Sequence, residues 1–278
     1  MKFQTFLPLV TYPDASTEAS VRNAVAFAGL LGDGLHALAL EADIPNVSSA
    51  LSRVLMSLPE MILKAEKLSA QNGAKLLAAA RTEAEARNLN LTTEVARVQP
   101  PMLGEEASSH ARYFDMSLIS WTAADPGVRT LAEAVLFGSG RPMILVPDQV
   151  PTERLGRISV AWDGSRVAAR AVADARALLE RAEEISVITA TGEKPLREED
   201  AGERLAESLR EAGLKARFSA ARAEDRPIAE TLQRHAAGLG ADLLVMGGYG
   251  HSRLRDFVLG GATEGVLSDL RMPVLLSH

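Results

Sequence analysis

With 278 residues, of which 47% are hydrophobic, 24% charged and only 4% aromatic, the chain can form one large or two ordinary globular domains with cores built from Ala, Leu and Val. Its formal net charge of -6 offers no basic footprint for nucleic acid, and the lack of cysteine excludes disulfides, thiolate zinc sites and thiol nucleophiles. No apolar run approaches the roughly 20 residues of a membrane helix, and MKFQTFLPLV is too short and too weakly cationic for a signal peptide, so a soluble cytoplasmic protein without membrane contact is expected.

In chain order, FQTFLPLVTYPDAS (3–16) is a short apolar run that ends in an Asp and a small polar residue. An Ala-rich amphipathic stretch follows from Ala19 to Leu31, then a strand-like run LHALAL (35–40). A long segment, Leu51 to Asn88, has helical spacing, with Met56, Met61, Leu63, Leu68, Leu76 and Leu77 set among Lys, Glu and Ala. Pro59 is expected to divide it into two helices. FDMSLISW (114–121) and RPMILVP (141–147) close this half.

The same plan then recurs. GRISVAWDGSRVAA (156–169) matches the opening, and Val167 to Arg181 matches the first helix. ISVITA (185–190), ADLLVMGG (241–248) and MPVLLSH (272–278) match the later strands. The last strand of each half opens on Pro, and an Asp precedes the run before it. Four strand correspondences in one order indicate an internal duplication. The polar, proline-bearing stretch Pro147 to Glu153 reads as the linker, which gives domains 1–147 and 154–278.

Short strands alternating with helices predict a parallel sheet covered on both faces. Runs such as VITA, LLVM and VLLS are apolar throughout, as strands buried on both sides are. The expected fold is therefore α/β: two tandem Rossmann-like domains, each a mostly parallel five-stranded sheet flanked by helices.

The informative segment follows the strand Leu243–Met246. It runs Gly247-Gly248-Tyr249-Gly250-His251-Ser252-Arg253-Leu254-Arg255-Asp256-Phe257-Val258-Leu259-Gly260-Gly261-Ala262-Thr263. Ligands of open parallel sheets bind at the carboxyl ends of strands. Glycines there let the backbone approach an anion, and inward-turned N–H groups can hold phosphate oxygens.

At these residues the sequence resembles the universal stress protein family, whose ATP-binding members carry Gly-x2-Gly-x9-Gly-(Ser/Thr) after the fourth strand. Gly247, Gly250 and Gly260 take the three glycine positions. The resemblance covers both halves in layout and implies a tandem member of the family, fold included. It implies that Asp163 contacts the adenosine end of a nucleotide and that Ala190 lines the adenine pocket, with Met246 and Gly247 as the other wall. Phosphates, with Mg, would then lie over Gly250, His251, Ser252, Gly260, Gly261 and Thr263.

Gly261 departs from the pattern, which has a hydroxyl there. A hydrogen bond to a charged group is worth about 1.5–3 kcal/mol. Its loss would weaken binding by roughly tenfold to a hundredfold unless Thr263 or Ser252 supplied a substitute. In the first half the motif is gone: Ser120-Trp121-Thr122-Ala123-Ala124-Asp125-Pro126-Gly127 replaces the first glycine pair, and Asp125 would place a negative charge near phosphate.

Other readings stay open. The glycines could be turn punctuation, and Asp163 could be the N-cap of the helix after it. His251 has only Asp256 as a nearby carboxylate and reads as a loop residue rather than a base. The five histidines show no metal-ligand spacing, and no nucleophile–base–orienter set is present. The expected function is adenine-nucleotide binding, ATP included, in the second half of a stress-response protein, with at most weak ATPase activity. The alternative is an interaction or scaffold protein that has lost ATP binding. The resemblance further implies an intrachain pseudo-dimer through strands 142–147 and 273–277. Whether two chains then form a homodimer is left open.

Overall fold

The computed structural model describes residues 3–32, 34–45, 58–122, 125–148, 154–191, 200–223, 225–249 and 261–278. Gly250, His251, Ser252 and Gly260 lie outside them. The chain divides into two compact units. One comprises Lys2–Ser120 and Asp125–Ser139, the other Trp121–Ala124 and Gly140–His278 with Met1.

The first unit alternates strands and helices as the patterning predicts. Its elements are β1 (Gln4–Val10), α1 (Glu18–Leu31), β2 (Gly34–Ala42), α2 (Leu58–Ala86), β3 (Asn90–Val98), α3 (Leu103–Ala111), β4 (Met116–Trp121) and α4 (Pro126–Gly138). The strand order is β3-β2-β1-β4, all parallel. The centre of β1 is buried on both faces: Phe6, Leu7 and Leu9 are all fully buried. Pro8 has no N–H to give, and the β1–β4 pairing ends at Phe6↔Ser117, whereas β1–β2 continues to Val10↔Leu40.

Helix α2 runs unbroken for 29 residues, with Pro59 in its first turn, where a missing N–H costs nothing. The residues that would form a helix before Pro59 lie outside the described set. α1 is capped by Thr17, whose side chain accepts from the Ser20 N–H.

The second unit holds β5 (Met143–Pro147), β6 (Arg157–Ala161), α5 (Arg166–Asp174), the single turn α6 (Arg176–Leu179), β7 (Glu184–Thr191), α7 (Ala201–Glu211), β8 (Ala216–Arg222), α8 (Ile228–Gly238), β9 (Leu243–Gly247), α9 (Ala262–Ser268) and β10 (Val274–Ser277). Strand order is β5-β10-β9-β6-β7-β8. β5 pairs antiparallel with β10, Leu275 opposite Ile144, whereas β10–β9, β9–β6, β6–β7 and β7–β8 are parallel. The two strands expected to meet as edges thus do pair. Counted from β6, the order repeats that of the first unit: first strand in the centre, second and third on one side, fourth on the other.

The duplication extends to individual hydrogen bonds. Asp115 Oδ2 accepts the Gln4 N–H at 2.8 Å. In the second unit, Asp242 Oδ2 accepts the N–H groups of Gly156 and Arg157, both at 2.8 Å. In each case the Asp ahead of the fourth strand ties down the start of the first.

Candidate functional site at the carboxyl ends of the second-unit strands

The central strand β6 pairs with β7 on one side and β9 on the other, Val160 lying opposite both Val187 and Val245. The chain leaves β6 toward β7 and later returns on the opposite side at β9. In open parallel sheets such a reversal marks where ligands bind, here at the carboxyl ends of β6 and β9. Three residues beyond the matched valines stand Asp163, Ala190 and Gly248. Asp163, Ala190, Met246 and Gly247 are therefore brought to one end of the sheet, on three adjacent strands.

Local bonds fix this rim. The Trp162 N–H donates to Ile188 O at 2.8 Å, and Thr189 Oγ1 donates to Trp162 O at 3.0 Å, joining the ends of β6 and β7. Asp163 is exposed, and its Oδ1 accepts the Ser165 N–H at 2.9 Å. Ser165, not Asp163, is the N-cap of α5, its hydroxyl accepting from the Ala168 N–H at 3.2 Å. Asp163 instead closes a turn through Gly164, at φ +73°, that presents Ser165 to the helix. The cap that the sequence left open for Asp163 thus falls two residues later, on Ser165.

Ala190 is half-buried and Met246 is buried. Gly247 is packed against α5: an added Cβ would lie 2.6 Å from the Val167 carbonyl carbon and 2.7 Å from the Ala168 nitrogen. The Gly248 N–H donates to Ser277 O at 2.7 Å, and His278 Nδ1 donates to Gly248 O at 3.0 Å. Tyr249 adopts φ +52°, and its N–H donates to Thr263 Oγ1 at 3.0 Å. The buried Thr263 hydroxyl therefore anchors the start of the loop to α9. Gly261 is the N-cap position of α9 and supplies no side-chain bond. Gly265 seats α9 on α8, with Ala229 Cβ only 2.5 Å from where its own Cβ would be.

The equivalent region of the first half is built differently. Asp125 is the N-cap of α4 and accepts from the Gly127 and Val128 N–H groups at 2.8 and 3.3 Å, with Pro126 at N1. Its carboxylate, expected as a charge against phosphate, serves a helix end. Trp121 is buried. Among the described residues no group of three or more His, Asp or Glu could hold a metal ion, and no helix is long and apolar enough to cross a membrane.

Residues 155–278 match the family model described as "Universal stress protein family". The C-terminal region is a universal stress protein domain. The fold of the whole chain is similar to a universal stress protein from Archaeoglobus fulgidus, with 17% identity, 99% of this chain and 97% of that chain covered, and a TM-score of 0.70. A protein described as a putative universal stress protein from Pseudomonas aeruginosa is 16% identical over 99% of this chain and 93% of its own, with a TM-score of 0.55. The cytoplasmic domain of a prokaryotic cation chloride cotransporter is 11% identical over 99% and 95% of the two chains, with a TM-score of 0.51. No curated protein matches the sequence. The cotransporter shows that this fold alone does not fix a function, so function has to come from the site.

Proposed function

We propose that the second half, 154–278, binds an adenine nucleotide such as ATP with Mg at the carboxyl ends of β6 and β9, and that the degenerate first half, 1–147, does not. The observation that carries this reading is the convergence of Asp163, Ala190 and Met246–Gly247 on one sheet end at the point where strand order reverses. A carboxylate there suits ribose hydroxyls, and the apolar ends of β7 and β9 suit a flat base. Gly250, His251, Ser252 and Gly260 would follow from the sequence pattern. Binding is the chemistry proposed, with hydrolysis slow at most, in a cytoplasmic stress response. Calorimetry and thermal shift with ATP–Mg test it. Absence of both heat and stabilisation at millimolar nucleotide would sink the reading.

A second reading has its own support. Gly247 is required by the packing of α5, and the Thr263 hydroxyl is already engaged by Tyr249. Both are what a scaffold that has lost its nucleotide would keep. A wild type without measurable affinity that gains it on Gly261→Ser would establish this alternative.

A further inference from the structure

In the first unit, the backbone groups at the carboxyl ends of β1 and β2 are taken by α2. Ser69, fully buried, accepts the Ala42 N–H on its Oγ at 2.8 Å. The same Oγ lies 2.6 Å from Thr11 Oγ1, which itself donates to Leu40 O. Asn72 Nδ2 donates to Thr11 O at 3.1 Å, and one turn earlier Glu66 Oε1 accepts the Ile44 N–H at 3.0 Å. Glu66 is held in turn by Arg97 at 3.3 Å.

The strand registers identify what these groups correspond to. Asp115 ties Gln4 as Asp242 ties Arg157, and Gln4 lies opposite Gly34 as Arg157 lies opposite Glu184. Counting along the strands from those pairs, Val10 corresponds to Asp163 and Leu40 to Ala190. The bonds from α2 thus reach Thr11 and Ala42, just beyond the first-unit counterparts of Asp163 and Ala190, and Thr11 in turn holds Leu40 O.

The crossover helices can be aligned in the same way. A Cβ on Gly73 of α2 would come 3.5 Å from Ala39 Cβ, and one on Gly202 of α7 would come 2.5 Å from Thr189 Oγ1. Ala39 and Thr189 are equivalent, each five residues beyond the matched Gly34 and Glu184. The two glycines therefore mark the same crossing of helix over strand. Among the described residues, α7 has one residue ahead of that crossing, Ala201, whereas α2 has the stretch 58–72. Glu66, Ser69 and Asn72 all belong to that stretch.

We propose that residues 58–72 of α2 are a built-in occupant of the first unit's strand-end cleft, so that the chain carries a single nucleotide site, in its second half. A ligand reading the first unit would have to displace a buried, hydrogen-bonded serine and the Asn72 amide, leaving their polar groups to be satisfied elsewhere. The occupant stands on the bonds above. Only the count of one site per chain rests on the nucleotide reading.

Amide exchange on the full chain, with and without ATP–Mg, tests both parts. In the absence of nucleotide, Ser69→Ala should speed exchange at Ala42 by about tenfold, and Glu66→Ala should do the same at Ile44. ATP should titrate to one per chain and leave exchange at residues 40–44 unchanged. Added protection at Ala42 and Ile44 with ATP, or two ATP per chain, would overturn the proposal. So would Ala42 exchange indifferent to Ser69→Ala. A wild type that binds no ATP would sink the nucleotide reading instead, and the exchange of the two variants would still decide whether α2 is the occupant.

Discussion

Gly247 and Val167 touch so closely that no side chain fits between them. A Cβ on Gly247 would meet the Val167 carbonyl carbon at 2.6 Å, and backbone cannot swing aside as a flexible side chain can. The glycine that begins the family motif is thus also the point where β9 passes under the first turn of α5. Gly247→Ala should destabilise the second half by about 1–3 kcal/mol through overpacking. Urea denaturation measures this directly. Stability within a few tenths of a kcal/mol of wild type would show that α5 can shift freely, and the packing role would be wrong.

Asp242 anchors the start of β6 with two backbone N–H groups on one carboxylate oxygen. Asp115 holds one such N–H, from Gln4. Hydrogen bonds to a charged group contribute about 1.5–3 kcal/mol. Asp242→Ala should cost an amount in that range or slightly above it, and Asp115→Ala the lower end. A thermal melt of the two variants gives the ranking, and the reverse order would contradict the bond count.

Much of this architecture was legible in the residues. An Asp ahead of each fourth strand and a Pro opening each fifth gave the duplication, because both residue types act through backbone geometry that the fold repeats. The apolar runs gave the strands, since a strand buried on both faces has no polar alternation to confuse. The occupant of the first half was not legible. Ser69, Asn72 and Glu66 sit on a helix whose polar residues look like a solvated face, and only the register of β1 with β2 shows that they cover strand ends. Asp125 is legible as a cap: Asp followed by Pro is a helix start, with Asp as N-cap and Pro at N1.

That cap makes a separate prediction. Asp125 accepts from the second and third N–H groups of α4, which have no partner inside the helix. Asp125→Ala should cost about 1 kcal/mol, and Asp125→Ser should recover most of it. Nucleotide affinity should be the same in all three proteins, measured by calorimetry, because the residue serves α4 in the first unit. A gain in affinity on removing the charge would restore the sequence-based view of Asp125 as a phosphate-repelling group.

Gly261 separates stability from binding. It occupies the N-cap position of α9 with φ -58° and ψ 154°, backbone angles that serine adopts without strain. Ser in place of Gly at an N-cap gains only a few tenths of a kcal/mol, so Gly261→Ser should barely change the melting temperature. If phosphate lies over this turn, the new hydroxyl adds a hydrogen bond to a charged ligand, worth about 1.5–3 kcal/mol, and ATP should bind at least about tenfold more tightly. Thr263 cannot supply that hydroxyl while its Oγ1 accepts the Tyr249 N–H, unless it donates its own proton to the phosphate at the same time. Thr263→Val tests this second contribution by removing both bonds. It should loosen the loop start and lower affinity in the Gly261→Ser background as well as in wild type. Equal ATP affinity across wild type, Gly261→Ser and Thr263→Val would place the phosphates away from α9 altogether.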